Sequence, residues 1–471
     1  MINLEERVVE KKSFFNRLII IYLFFALIFI FFLERTYSLQ ISEFSNYEIA
    51  AIENKTKEVL VQPVRGIIYD RNGNIIVNNF PSYDLIIKPW KILDLNKFIE
   101  EISIVIELNP AEIDFVTENF KRKARYNREL ILKKDLTRVE IARFEVRGFN
   151  FPNAFIDKRY SRRHNYPHLF SHAIGYVGGI NNEKLSSILE DQALDYDETI
   201  FSYSNGFLIG KTGIENKYDK ILRGLYGKKI YEVDARGKLV KQTDYIQPKN
   251  GDSLFTSLDL ESHKVAYEKM NNRRGAVVAV EIESGSIVTY LSTPSFSSND
   301  ISNGISSKAF NALLKDPNKP FFDRAAQGRY SPASTIKPAI GLFGLEENLI
   351  DWNFSINDPG YFILPEDQRV YRGWRKSGHG NVNLNKAIIV SSNTFFFSLA
   401  YHSDIDSLIN HLSNFGFGKN ICLDCFNPDI GLLPTPEWKM NNLNFGWFKG
   451  DTVNLGVGQG YLSATPLQFA Y

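Results

Sequence analysis

Residues 331–342 read SPASTIKPAIGL, placing Ser334 three positions ahead of Lys337. No other lysine in the chain has a serine three residues before it. On a helix that spacing puts both side chains on one face, about one turn apart. A serine hydroxyl is a weak nucleophile until a neighbouring base takes its proton. Lysine serves as that base only where burial or nearby positive charge leaves its amine neutral. Pro332 suits a helix start, and a first-turn serine gains from backbone N–H groups that favour developing negative charge. Alone, the pattern fits a helix-capping serine and a solvated lysine better than a catalytic pair.

Further along, Ser391-Ser392-Asn393 follows an apolar run and precedes TFFF. A second serine and an asparagine can relay a proton to a leaving amine and hold a substrate amide. Ser297-Ser298-Asn299 and Ser355-Ile356-Asn357 carry the same Ser-x-Asn pattern, so spacing alone does not choose among the three. A further tripeptide, Lys211-Thr212-Gly213 in FLIGKTGIEN, lies upstream of both motifs.

The 471-residue chain is long enough for two or three domains, and 44% hydrophobic with 23% charged residues is a globular composition. With 55 basic against 54 acidic side chains there is no positive surplus to bind nucleic acid. The two cysteines, Cys422 and Cys425 in ICLDC, supply half a zinc site at most. They read as small loop residues without chemical duty. His164, His168 and His172 recur at intervals of four, but Pro167 would break a helix that aligned them. Asp358 and His379 read as loop hydrogen-bonders. No cofactor or metal is expected.

Residues 18–33, LIIIYLFFALIFIFFL, extended upstream by Phe14-Phe15, match the roughly 20 residues needed to span hydrocarbon. Bulky Phe31, Phe32 and Leu33 stand where a cleaved leader would have small residues, so the segment reads as a retained anchor. Lys11, Lys12 and Arg17 before it favour a cytoplasmic N-terminus.

Beyond the anchor, residues 34–58 read as a stalk. PVRGIIYDRNGNIIVNN (63–79) reads as a hairpin about Asn72-Gly73. Residues 91–147 alternate charged and apolar side chains at helical spacing. SLDLESHKVAYEKMNN (257–272) reads as an amphipathic helix, and GAVVAVEIESGSIVTYLS (275–292) as two strands joined at Glu283-Ser284-Gly285. A helix followed by a central hairpin indicates an antiparallel sheet with helices packed on it, the α+β class. STIKPAIGLFGLEEN and LNKAIIVSSNTFFFSLAYHS read as two helices.

In their order these segments resemble the class B penicillin-binding proteins, in particular the elongation-specific branch typified by penicillin-binding protein 2. The resemblance rests on RGIIYDRNG (65–73), HLFSHAIGYVGGIN (168–181), the stretch from Ser292 into SPASTIKP, YRGWRKSGHGNVNL (371–384) and GVGQGYLSATPLQ (456–468). It implies residues 1–13 as a cytoplasmic tail, 14–34 as the anchor, 35–250 as stalk and non-catalytic pedestal, and 251–471 as a transpeptidase domain. Carried across, Ser334 is the acylated nucleophile, Lys337 its base, and Ser391 and Asn393 complete proton transfer and substrate contact.

In this family Lys-Thr-Gly follows the other two motifs. Lys211-Thr212-Gly213 is therefore a look-alike in the pedestal, and the third motif is expected beyond Tyr471. Ala333 stands where the family usually has Gly, and Asn393 where many close relatives have Asp. The implied activity is peptidoglycan D,D-transpeptidation in cell elongation, inhibited by β-lactams. The implied partners are stem peptides and, in the cell inner membrane, a SEDS-type glycosyltransferase with the elongation machinery. Two rivals remain open, a non-catalytic regulator of that polymerase and a β-lactam sensor or β-lactamase.

Overall fold

The computed structural model describes residues 4–45, 55–126, 129–192, 207–233 and 239–471, so part of the expected stalk, 46–54, lies outside the described residues. Two compact units are present: residues 1–62 with 226–248, and residues 63–225 with 249–471.

In the first unit a single helix runs Leu4–Tyr37. Arg17–Ser42 is long and apolar enough to cross a membrane, and its large side chains, Phe24 and Phe31 among them, face outward. A helix that is apolar all round satisfies its backbone internally and needs an apolar surrounding. The unit also holds a three-stranded antiparallel sheet ordered Thr56–Val61, Gly227–Val233, Leu239–Ile246.

The second unit opens on the expected hairpin. Ile68–Tyr69 pairs antiparallel with the strand Ile75–Ile87, and Gly73 takes φ +83° in the turn. The Asp70 carboxylate ties the turn down by accepting from the backbone N–H of Asn72 and Asn74 and from the Asn74 side chain. The long strand continues the sheet, pairing with Ala154–His164 and Leu130–Lys133.

Within 91–147 the reading as helix was incomplete. Helices Leu95–Ser103, Pro110–Arg125 and Arg138–Arg147 form, but a strand at Leu130–Lys133 interrupts them. Leu130 and Leu132 are buried against the long strand's partner face. Two alternating leucines are too short a pattern to outweigh flanking helical periodicity until a partner strand is available.

The part from residue 251 onward follows the α+β reading. Helix Leu260–Met270 precedes the antiparallel hairpin Gly275–Val280 and Ile287–Thr293, with Gly285 at φ +69° in its turn. His263 Nε2 accepts the Tyr290 N–H at 3.1 Å, fastening helix to strand. Beside this lies a helical core built on Ile340, Phe343, Phe395, Phe396, Leu408 and Val453, all at most 1% exposed.

Two expectations need correction here. Cys422 and Cys425 are joined in a disulfide, so they are not idle loop residues. LNKAIIVSSNTFFFSLAYHS is also not one helix. It breaks into Leu384–Ile389 and Asn393–His402, with Ser391 left-handed at φ +53° between them. Ser392 Oγ accepts the Phe395 N–H and so caps the second helix, which is why the first stops.

Candidate active site

Ser334 lies in the 3-10 turn Ala333–Ile336, which runs directly into the helix Lys337–Glu346. Ser334 is exposed, whereas Lys337, on the inward side of the same turn, is 2% exposed. Ala333 enters the turn at φ +48° and donates its N–H to Gly458 O at 2.8 Å. A Cβ on Gly458 would lie 2.2 Å from Ala333 O, so only glycine allows this approach.

The break at 390–392 brings the second motif to the first. Lys337 Nζ donates to Ser391 O at 3.0 Å, Ser391 Oγ at 3.0 Å and Asn393 Oδ1 at 2.6 Å. Ser391 Oγ in turn lies 3.1 Å from Ser334 Oγ. All four predicted site residues therefore meet, but the lysine reaches Ser334 through Ser391. Sequence spacing had suggested a direct Ser334–Lys337 pair. Three acceptors around Nζ match the three donors of an ammonium, and the Phe396 ring under it also favours the cation, while burial favours the neutral amine. Burial prevails enough to lower the Lys337 ammonium to about 8.

The rival Ser-x-Asn patterns sit elsewhere. Ser297 caps the helix Ser298–Asn303 and Asn299 bonds the His164 backbone, while Ser355–Asp358 is a strand paired with Gly380–Asn383. Lys211-Thr212-Gly213 lies between the strand Leu208–Gly210 and the helix Gly213–Lys217, against Tyr176 and Gly175. Glu215 beside it is buried between Arg65 and Arg162, at 2.6 and 2.7 Å. Burial pushes that carboxyl up, and the two guanidiniums outweigh it, leaving it at about 2.

Asp358 and His379 do form hydrogen bonds, but Asp358 ends the strand Ser355–Asp358 instead of lying in a loop, and the contacts carry more consequence than foreseen. Their side chains pair at 2.9 Å, and Asp358 Oδ2 also accepts from Ser392 Oγ at 2.7 Å. The only advance signal was that both precede Ser392 in a Gly-rich stretch. His172 Nε2 faces Pro320 O at 2.9 Å, away from His164, whose backbone N–H bonds Asn299.

An exposed serine, a second serine and a buried lysine beside a helix start have the form of a serine acyltransferase site. The family model for the penicillin-binding protein dimerisation domain matches residues 60–256, and that for the penicillin-binding protein transpeptidase domain matches 275–471. The peptidoglycan D,D-transpeptidase MrdA of Escherichia coli strain K12 is 35% identical over 463 residues, 98% of this chain and 72% of the relative. The MrdA of Acinetobacter baumannii is 36% identical over 432 residues, 92% of this chain and 63% of the relative.

Among solved structures, the complex between penicillin-binding protein PBP2 and MreC from Helicobacter pylori matches with TM-score 0.75 and 29% identity, covering 88% of this chain and 76% of that one. Pseudomonas aeruginosa PBP2 in complex with WCK 5153 matches with TM-score 0.62 and 30% identity, covering 88% and 68%. The chain belongs to the penicillin-binding protein 2 family, the MrdA-type peptidoglycan D,D-transpeptidases. It spans 63% of the length of the A. baumannii relative and 72% of the E. coli one.

Proposed function

We propose that the protein cross-links peptidoglycan stem peptides through an acyl-enzyme on Ser334, with Lys337 as base and Ser391 and Asn393 completing the site. The observation carrying this is the unbroken chain Ser334 Oγ, Ser391 Oγ, Lys337 Nζ, with steps of 3.1 and 3.0 Å. With Lys337 neutral, Ser391 donates to the amine and accepts from Ser334. Ser334 Oγ attacks the carbonyl of the penultimate D-alanine while its proton moves through Ser391 to Lys337. The carbon–nitrogen bond to the terminal D-alanine breaks, and the departing amine takes that proton back. An amine from a neighbouring strand then attacks the ester, forming the cross-link and returning a proton to Ser334. Asn393 Oδ1 fixes the lysine and leaves its amide N–H₂ to meet substrate carbonyls.

The same serine would be acylated by β-lactams. The apolar helix anchors the chain in the cell inner membrane as a single pass, with Lys11, Lys12 and Arg17 cytoplasmic and the bulk periplasmic. In this reading 1–13 is the tail, 14–34 the anchor, 35–250 the pedestal and 251–471 the transpeptidase domain. Its membrane partners are a SEDS-type glycosyltransferase and the elongation machinery.

Fluorescent penicillin labelling, with and without Ser334→Ala, tests the assignment. Stable label lost in the variant supports it, rapid turnover indicates a β-lactamase, and no label leaves a non-catalytic regulator.

A further inference from the structure

Ser391 is the hinge of the proton path, and its backbone is an uncomfortable one. A left-handed residue other than glycine is unfavourable and persists only where its surroundings hold it. Ser391 has φ +53° and stands in the gap between helices ending at Ile389 and starting at Asn393.

The residues on either side of it are tied to two neighbouring segments, Val390 to Trp374 ahead of the strand Gly380–Asn383 and Ser392 to Asp358 at the end of the strand Ser355–Asp358. On the near side, Val390 O accepts the indole N–H of Trp374 at 3.1 Å. On the far side, Ser392 Oγ donates to Asp358 Oδ2 at 2.7 Å while accepting the Phe395 N–H at 3.3 Å. Asp358 is itself fixed. His379 Nδ1–H donates to Oδ2 at 2.9 Å and the Gly360 N–H to Oδ1 at 2.7 Å. The Asp358 and His379 side chains are 2% and 5% exposed. The Trp374 and His379 rings lie 5.3 Å apart, joining the two ties.

We propose that Trp374 and the Asp358–His379 pair form a two-sided clamp that holds Ser391 in its left-handed turn, and so act as positioning residues for proton transfer. The proposal rests on the reading of Ser334 as the nucleophile. Were residue 391 to relax to an ordinary helical backbone, its carbonyl and its Oγ would both turn. Lys337 would lose two of its three acceptors, and Ser334 its link to the base. Substrate binding, which does not pass through this relay, would be spared.

The test separates those two quantities. Acylation of the purified full chain in detergent by a fluorescent penicillin is followed by stopped flow, giving the dissociation constant of the initial complex and the limiting acylation rate. Trp374→Phe removes the indole donor but keeps a ring, and Ser392→Ala removes the tie to Asp358. Each is expected to lower the limiting rate about ten- to a hundredfold, as small misplacements of reacting groups do, with the dissociation constant unchanged. Ser392→Thr, which restores the hydroxyl, should recover most of the rate. Should Ser392→Ala fail to fold, the exposed Trp374 still carries the test.

Folded variants that acylate at the parental rate would overturn the clamp, as would a loss confined to the dissociation constant. A parent chain that takes no label on Ser334 overturns the nucleophile reading instead, and the clamp falls with it. A labelled parent with full-speed variants removes the clamp alone.

Discussion

Lys337 Nζ and Asn393 Oδ1 lie 2.6 Å apart, the shortest of the three contacts that Nζ makes with Ser391 and Asn393. The partner is a neutral amide. It gives the lysine a place to rest without the charge that would hold its proton. Burial therefore brings the ammonium down to about 8 unopposed by a carboxylate at Asn393.

Acylation of Ser334 should accordingly rise with pH through about 8, following loss of one proton from Lys337. A β-lactam acylation profile measured from acid to alkaline pH checks this. In Asn393→Asp a carboxylate would stabilise the ammonium, moving the midpoint up by about one unit or more. Lys337→Arg, which never becomes neutral, should lose on the order of 10²–10⁴ in rate. A midpoint unmoved by Asn393→Asp would mean that another group titrates.

Ala333 occupies a left-handed turn at φ +48° that glycine tolerates far better. Ala333→Gly should stabilise the chain by roughly 1 kcal/mol with acylation retained. Gly458→Ala forces a Cβ to 2.2 Å from Ala333 O, displaces the turn carrying Ser334, and should abolish labelling. Thermal melting and penicillin labelling of the two variants read these opposite effects.

Glu215 pairs with Arg65 and Arg162 out of water. Its folded-state carboxyl, near 2, is depressed from an ordinary 4.5, so the stabilisation is complete above about 4.5 and lost as pH falls toward 2. Glu215→Gln leaves the buried Arg162 guanidinium without its carboxylate and Arg65 with Asp219 alone, and about 3–5 kcal/mol of stability should go with it. Melting curves of parent and variant at neutral pH, and of the parent from pH 5 downward, test both statements.

The Cys422–Cys425 disulfide predicts that thiol alkylation adds no mass to the denatured chain until it is reduced. Closing so short a loop restricts the unfolded chain little, so replacing both cysteines by serine should cost no more than about 2 kcal/mol. Intact-mass analysis and melting of the double variant decide it.

Much of the site was readable because its two halves are local. Ser334 and Lys337 share a helical turn, and Ser391 and Asn393 share a helix start, so residue type and spacing expose each pair. Which Ser-x-Asn belongs beside the lysine is not local. Neither is the strand at 130–133, formed only because the strand Ile75–Ile87 offers an edge. The disulfide was missed because Cys-x-x-Cys spacing fits an inert loop, half a metal site and a bridge equally well, and only the fold of the loop selects among them.

By itself the sequence determined the membrane-length apolar helix, the α+β pattern of residues 251–471 and the four polar side chains, since hydropathy, periodicity and short-range spacing are properties of neighbouring residues. Only the tertiary structure decided that Ser391 stands between Ser334 and Lys337, and that Asp358, His379 and Trp374 converge on the turn containing it. Those relations join residues far apart in the chain. They exist only once apolar burial has packed the helix after Lys337 against the one after Asn393 and left a non-helical turn between.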